Sequence, residues 1–450
     1  MRKSVIIVLA VMLIAGSAFA VVTPDPLFSE NAVLQQGMRL PVWGAADAGV
    51  KVTVTIQGQR VSAVALPSGN WMVHLKPLKA GGPFTMTIND QEIKNVLVGE
   101  VWVCSGQSNM AFQLNRASNG EQAVADSKDP MLRLFLVPKM RDPFTLPKAW
   151  TESSPDSSPT FSAVGYFFGK ALRKALGVPV GLIDSSVGGT PAEAWTSRSY
   201  LSPHPELNGT PKCYYLYNSM IAPLIPYGIR GAIWYQGEGN AGRAYAYRSL
   251  LPLMIKCWRD AWGEGEFPFL IVQLAPYGKQ KRPDANWPEL REAELYVTQT
   301  VPNTGLAVTM DVGNCENIHP TQKEPVGERL ALDAEAMVYG KKVEYSGPAY
   351  QSMSVEESGG IILSFMHAEG LAAVGGELKG FTIAGEDKNF VPATAVIKGD
   401  QVIVSSPDVP EPVAVRYGWD DCPDANFANK AGLPASPFRT DDWGWITKPE

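Results

Sequence analysis

The sequence predicts an α/β protein: a parallel sheet with helical crossovers, flanked by all-β regions on both sides. Five apolar runs, at 96–104, 180–184, 231–235, 269–274 and 305–310, alternate with helical patterns, as buried parallel strands do. The stretch 21–95 alternates at period two with close turn signals, which suggests a small sandwich or jelly roll. From 343 to 450 the pattern returns to short strands and a tail rich in Pro and Asn.

Each part follows from its own residues. Before residue 95, Val50-Lys51-Val52-Thr53-Val54-Thr55-Ile56, Trp71-Met72-Val73-His74-Leu75 and Phe84-Thr85-Met86-Thr87-Ile88 alternate apolar with polar. In the middle part, Val164, Phe167, Phe168, Ala171, Leu172 and Ala175 recur at helical spacing, and Gly177 stands where a C′ glycine would. A second helix is expected through Tyr247, Leu250, Leu251, Met254 and Trp258, and a third over 326–337. The middle part, 96–342, is therefore read as one α/β domain. In the last part, 361–365, 395–397, 401–404 and 414–417 read as strands.

Bulk properties narrow the function. With 450 residues, 45% hydrophobic and 19% charged, the chain can build two or three cores. A net charge of -6 and a pI near 5.5 give no electrostatic footprint for nucleic acid. Arg2-Lys3, an apolar run over 5–15 and Gly16-Ser17-Ala18-Phe19-Ala20 read as a cleavable secretory signal, cut after Ala20. Its loss removes two basic residues and takes the net charge from -6 to -8. The mature chain is expected to be secreted or periplasmic and not inserted in a membrane; an uncleaved anchor is the alternative. The five cysteines are too few and scattered for a disulfide framework, though they leave room for one or two bridges, and they include no C-x-x-C pair, so a zinc knuckle is not expected.

The chemistry starts where the first apolar run ends, at Ser105-Gly106-Gln107-Ser108-Asn109-Met110. A serine at a strand end suits a nucleophile if a histidine can take its proton. Of four histidines, His319 in Glu316-Asn317-Ile318-His319-Pro320 follows the last parallel strand and so falls at the same sheet edge as Ser108. Acyl transfer also needs donors for an oxyanion. Gly188-Gly189 can offer a backbone N–H, and Asn240 a side-chain amide. Taken singly, these residues read equally as turn glycines, a helix cap and a surface histidine.

Taken together, Gly106-Gln107-Ser108-Asn109-Met110, Gly188-Gly189-Thr190, Trp234-Tyr235-Gln236-Gly237-Glu238-Gly239-Asn240 and Ile318-His319-Pro320 resemble the four blocks of the SGNH hydrolases. Within that superfamily they are similar to the sialate O-acetylesterase family of carbohydrate esterases. The likeness extends to Val33-Leu34-Gln35, Pro41-Val42-Trp43-Gly44 and the tail from Asn429 to Asp441. It implies an SGNH-like three-layer core, with Ser108 as nucleophile and His319 as general base and then acid. It also implies an oxyanion hole from the Ser108 N–H, Gly189 or Gly188, and Asn240. No metal or organic cofactor is implied.

The acid that orients the histidine stays open. Glu316 stands in the slot that many SGNH enzymes fill with aspartate, Glu238 lies in the Gln-Gly-Glu block, and a dyad without either is the third option. Many relatives carry serine where this chain has Gly239. Gln107, Asn109 and Gln236 are expected to face substrate. Arg291 reads either as a brace or acidic-sugar contact at that edge, or as part of a solvated helix face.

The expected partner is an acetylated glycan, with the 9-O-acetyl ester of sialic acid first. Acetylated plant polysaccharide such as xylan is the rival within the same chemistry. A non-catalytic glycan-binding protein is the rival of another class, and the joint presence of Ser108, Asn240 and His319 argues against it.

Overall fold

A computed structural model describes residues 21–138, 149–208, 214–278, 286–356 and 359–449. The expected signal segment and Cys213 lie outside them. The first strands are β1 (Val22–Pro24), β2 (Val33–Gln35), β3 (Leu40–Ala46), β4 (Lys51–Ile56), β5 (Gln59–Val64), β6 (Asn70–Leu75) and β7 (Gly81–Ile88). Alternation decides their faces: in β6, Trp71, Val73 and Leu75 are buried while Met72 and His74 are exposed.

β8 (Gln91–Gly106) organises the molecule. Its first half pairs antiparallel with β7 and parallel with β2. Its second half is the centre of the parallel sheet, between β11 (Val180–Ser186) and β12 (Gly231–Tyr235). Beyond β11 lie β9 (Asp129–Leu136), parallel, and β10 (Thr151–Ser153), antiparallel. Beyond β12 come β13 (Phe269–Val272) and β14 (Thr304–Ala307), both parallel. The expected boundary at 95/96 thus falls inside one strand, and apolar residues on both sides of it belong to one core.

The parallel set has one strand more than expected. β9 escapes the pattern because Arg133 interrupts Leu132 and Leu134. In the fold that arginine is buried, donating to the Asn31 and Asn95 side-chain oxygens, each at 3.1 Å, and pairing with Glu152.

The helices are α1 (Gly120–Ala125), α2 (Ala163–Leu176), α3 (Arg198–Leu201), α4 (Ala244–Trp262), α5 (Trp287–Thr300) and α6 (Glu324–Met337). Ser162 caps α2 by accepting from Gly165 N at 3.0 Å, a contact worth about 1 kcal/mol, and Gly177 closes the helix in the left-handed region. α2 packs on α6, and its Phe168 meets Trp102 of β8 edge to face. α4 packs on α5, and its Trp258 meets Trp234 of β12. Trp102 is paired with Gly231 and Trp234 with Ser105, so the two tryptophans point to opposite faces of the sheet. Helices therefore cover both faces.

The C-terminal region forms a second apolar core around Phe365, Phe381, Tyr417, Phe427 and Phe438, within small antiparallel sheets. It is joined to the sheet's carboxyl edge by the Cys315–Cys422 disulfide. Cys104 and Cys257 are buried thiols. Among the described residues no helix is long and apolar enough to cross a membrane.

Candidate active site

The turn after β8 is shaped by close backbone approach. Gly106 has φ +137°, and a Cβ there would lie 2.1 Å from Tyr235 O of β12. Gln107 N donates to the same carbonyl at 2.9 Å, which brings Ser108 out at the carboxyl edge, half-buried. The turn after β11 comes to meet it: a Cβ on Gly188 would sit 3.3 Å from Ser108 Cβ. Gly188 and Gly189 are exposed, and Gly189 has φ +72°. Thr190 Oγ1 pins this turn by donating to Val187 O at 2.7 Å while accepting from Trp195 Nε1 at 3.0 Å.

The turn after β12 supplies Asn240. Its Oδ1 accepts from Ala192 N at 2.9 Å and Gln236 Nε2 at 2.8 Å, and its Nδ2 donates to Glu193 at 2.9 Å. The amide orientation is thereby fixed, with one Nδ2 hydrogen engaged by Glu193. Glu193 is fully buried and pairs with Arg243.

His319 is half-buried on the loop between β14 and α6. Burial first, then the fields of Lys323 and Arg116, hold its imidazole below the ordinary 6.5, so it is neutral near pH 7. The loop is tied down at several points. His319 N donates to Asn317 Oδ1 at 3.0 Å, Ser118 N donates to Thr321 O at 3.0 Å, and the Cys315 disulfide anchors the loop shortly before His319.

One side chain joins these turns. Asn109 Nδ2 donates to Ile318 O at 2.9 Å and Glu238 Oε1 at 2.5 Å, while Asn109 Oδ1 accepts from Lys323 Nζ at 2.5 Å. Burial raises Glu238 above the ordinary carboxylate range, against the pull of the Asn109 bond and the Lys323 charge. Its Oε2 is buried and accepts no hydrogen bond among the described residues. Glu316, by contrast, is exposed.

The residues expected to face substrate are enclosed by protein. Gln107, Asn109 and Gln236 are all buried. Gln107 Oε1 accepts from Gln236 Nε2 at 3.1 Å and Gly239 N at 3.0 Å, and Gln236 Oε1 accepts from Tyr247 at 2.8 Å. Arg291 is not on a solvated face: it is fully buried and donates to the carbonyls of Leu274, Asp420 and Asp421. That placement makes it a brace between α5 and the C-terminal region, and burial lowers its pKa to about 10. Lys323 and Glu193 are the partners that sequence reading missed. The one signal for each is a charged residue shortly after a block, in Pro320-Thr321-Gln322-Lys323 and in Thr190-Pro191-Ala192-Glu193.

Known proteins are similar to this chain over most of its length. A family model described as a carbohydrate esterase, sialic acid-specific acetylesterase, matches residues 98–335. Human sialate O-acetylesterase is 30% identical over 88% of this chain and 88% of its own. The mouse sialate O-acetylesterase is also 30% identical, over 88% of this chain and 90% of its own. Among solved structures, a carbohydrate acetylesterase from Xanthomonas citri is 42% identical with a TM-score of 0.88, covering 94% of this chain and 100% of that one.

Proposed function

Because this chain belongs to the carbohydrate esterase family of sialic acid-specific acetylesterases, we propose that it removes acetyl groups from sugars through an acetyl-Ser108 intermediate. It is a carboxylic ester hydrolase acting on acetylated sugar, and its core is read as an SGNH-hydrolase core. The observation that carries the assignment of roles is the Asn109 bond to Ile318 O, which holds the His319 loop against the Ser108 turn.

In this reading His319 takes the Ser108 hydroxyl proton as Oγ attacks the acetyl carbonyl carbon. Negative charge collects on the carbonyl oxygen, where the Ser108 N–H, Gly189 or Gly188 N–H and the second Nδ2 hydrogen of Asn240 receive it. Collapse breaks the bond to the sugar oxygen, which leaves with the proton from His319. Water then attacks the acetyl-enzyme, gives its proton to His319, and acetate departs as Ser108 regains its hydrogen. A histidine held below its ordinary pKa is neutral, as the first step requires. Glu238 is the better candidate for the orienting acid. It is half-buried, its Oε1 tied through Asn109 to the carbonyl preceding His319 and its Oε2 enclosed and unused, whereas Glu316 is exposed.

The substrate assigned is the 9-O-acetyl ester of sialic acid, acetylated xylan being the alternative. Supporting the anionic sugar, the charges that act on His319 are both cationic. One of them, Arg116, is exposed at the rim and rests on the Phe112 ring at 5.1 Å. A disulfide also fits an exported protein. The test is acetate release from para-nitrophenyl acetate, 9-O-acetylated sialic acid and acetylated xylan by the mature protein, Ser108→Ala and Arg116→Ala. Release is expected to vanish in Ser108→Ala. With Arg116→Ala, KM is expected to rise for the sialate alone. Release that survives Ser108→Ala refutes the serine mechanism, and turnover of xylan in preference to sialate refutes the substrate.

A further inference from the structure

Lys323 is a charged side chain of the site with no role in the scheme above. It is fully buried at the start of α6, with its ammonium 5.1 Å from the ring centroids of both Phe112 and Tyr235. Its hydrogen-bond acceptor is Asn109 Oδ1 at 2.5 Å. As a space-filler this is a poor choice, since burying an ammonium costs far more than burying an apolar side chain of the same length.

What the ammonium does do is decide which way Asn109 points. It offers donors only, so the amide must turn its oxygen toward Lys323 and its Nδ2 away. The Nδ2 hydrogens then meet Ile318 O and Glu238 Oε1. The flipped amide would set Nδ2 against the ammonium and Oδ1 against two other oxygens. Asn109 follows Ser108, Ile318 precedes His319, and Glu238 opens the short helix that carries Asn240. One amide, held in one orientation, therefore registers three turns whose chain segments are far apart.

We propose that Lys323 is a positioning residue of the esterase reaction: by fixing the Asn109 amide it holds the Ser108 turn, the His319 loop and the Glu238 turn in working register. The proposal rests on the assignment of Ser108 and His319 made above. It makes no direct contact between Lys323 and substrate necessary.

A double-mutant cycle tests it, with Lys323→Met, Asn109→Ala and both together assayed on para-nitrophenyl acetate, and folding checked by circular dichroism. Loss of register at ångström scale lowers turnover by about 10- to 100-fold. Each single variant is expected to lose that much in kcat with KM within about twofold, and the double variant to be no worse than Asn109→Ala alone. Lys323→Gln, whose neutral amide can still donate to Asn109 Oδ1, is expected to recover part of the loss and serves if Lys323→Met folds poorly. Unchanged kcat in Lys323→Met, multiplicative losses in the double variant, or no recovery in Lys323→Gln each overturn the proposal. Failure of the parent assignment looks different: the unsubstituted protein itself would then release no acetate that depends on Ser108.

Discussion

Replacing Lys323 by methionine has a consequence for stability that is separable from activity. Burial lowers the Lys323 pKa from the ordinary 10.5 to about 7. At about 1.4 kcal/mol per pH unit, that gap corresponds to about 5 kcal/mol. The sign follows from proton counting. The unfolded chain keeps the lysine proton up to about pH 10.5, while the folded protein releases it near 7. Below 7 both states hold it, and the full burial penalty weighs on the fold. Between the two values the unfolded state binds more protons, so stability rises with pH. Lys323→Met removes the penalty together with its pH dependence.

Against this gain, the variant leaves Asn109 Oδ1 without its donor, a loss of about 1–3 kcal/mol, and Glu238 without its cation. Near pH 7 the variant is therefore expected to be at least as stable as the parent. From about pH 7 to about pH 9.5 the parent gains about 3 kcal/mol relative to it. Denaturant unfolding of both proteins at the two pH values, followed by tryptophan fluorescence, reads this directly. Parallel stability profiles would show that Lys323 is not a buried cation, and the account of its burial would fall.

Two other outcomes follow from the site. Glu238→Gln is expected to lower kcat on para-nitrophenyl acetate by about 10²- to 10⁴-fold, as loss of an orienting acid does, whereas Glu316→Gln changes it less than about threefold; the opposite ranking transfers the role to Glu316. Cys422→Ser opens a loop with a sequence separation of 107, which by chain entropy is worth about 4–5 kcal/mol. A lower calorimetric melting temperature is expected, with a fall in kcat because Cys315 lies on the loop that carries His319; full turnover would show that the disulfide does not steady that loop.

The legible parts of the structure are those written in local pattern. Period-two alternation placed β4, β6 and β7, and the apolar runs placed β8 and β11 to β14, because burial on one face or two dictates those patterns. The placement of Ser108, Gly188 and Asn240 at one edge of the sheet was legible for a related reason: polar turns at the carboxyl ends of parallel strands have few other places to go. Arg133 hid β9 because its half-buried partners, Asn31 and Asn95, are chosen by tertiary contact. Lys323 and Glu193 were silent on the same ground, as ordinary charges until the fold encloses them. Gln107, Gln236 and Arg291 carried the opposite error, since a polar residue beside a site looks the same in sequence whether it meets ligand or protein.

That error points to how the site is made rigid. The donor proposed for the oxyanion, Asn240, cannot rotate to suit a ligand: a flipped amide would oppose the Ala192 N–H and the Gln236 amide, and would turn its oxygen on Glu193. Gln236 is held in turn by Gln107 and Tyr247. Buried amides whose partners are satisfied within the protein have one low-energy arrangement. Their dipoles are therefore already set before charge develops in the reaction, which is the condition for strong electrostatic stabilisation of a transition state.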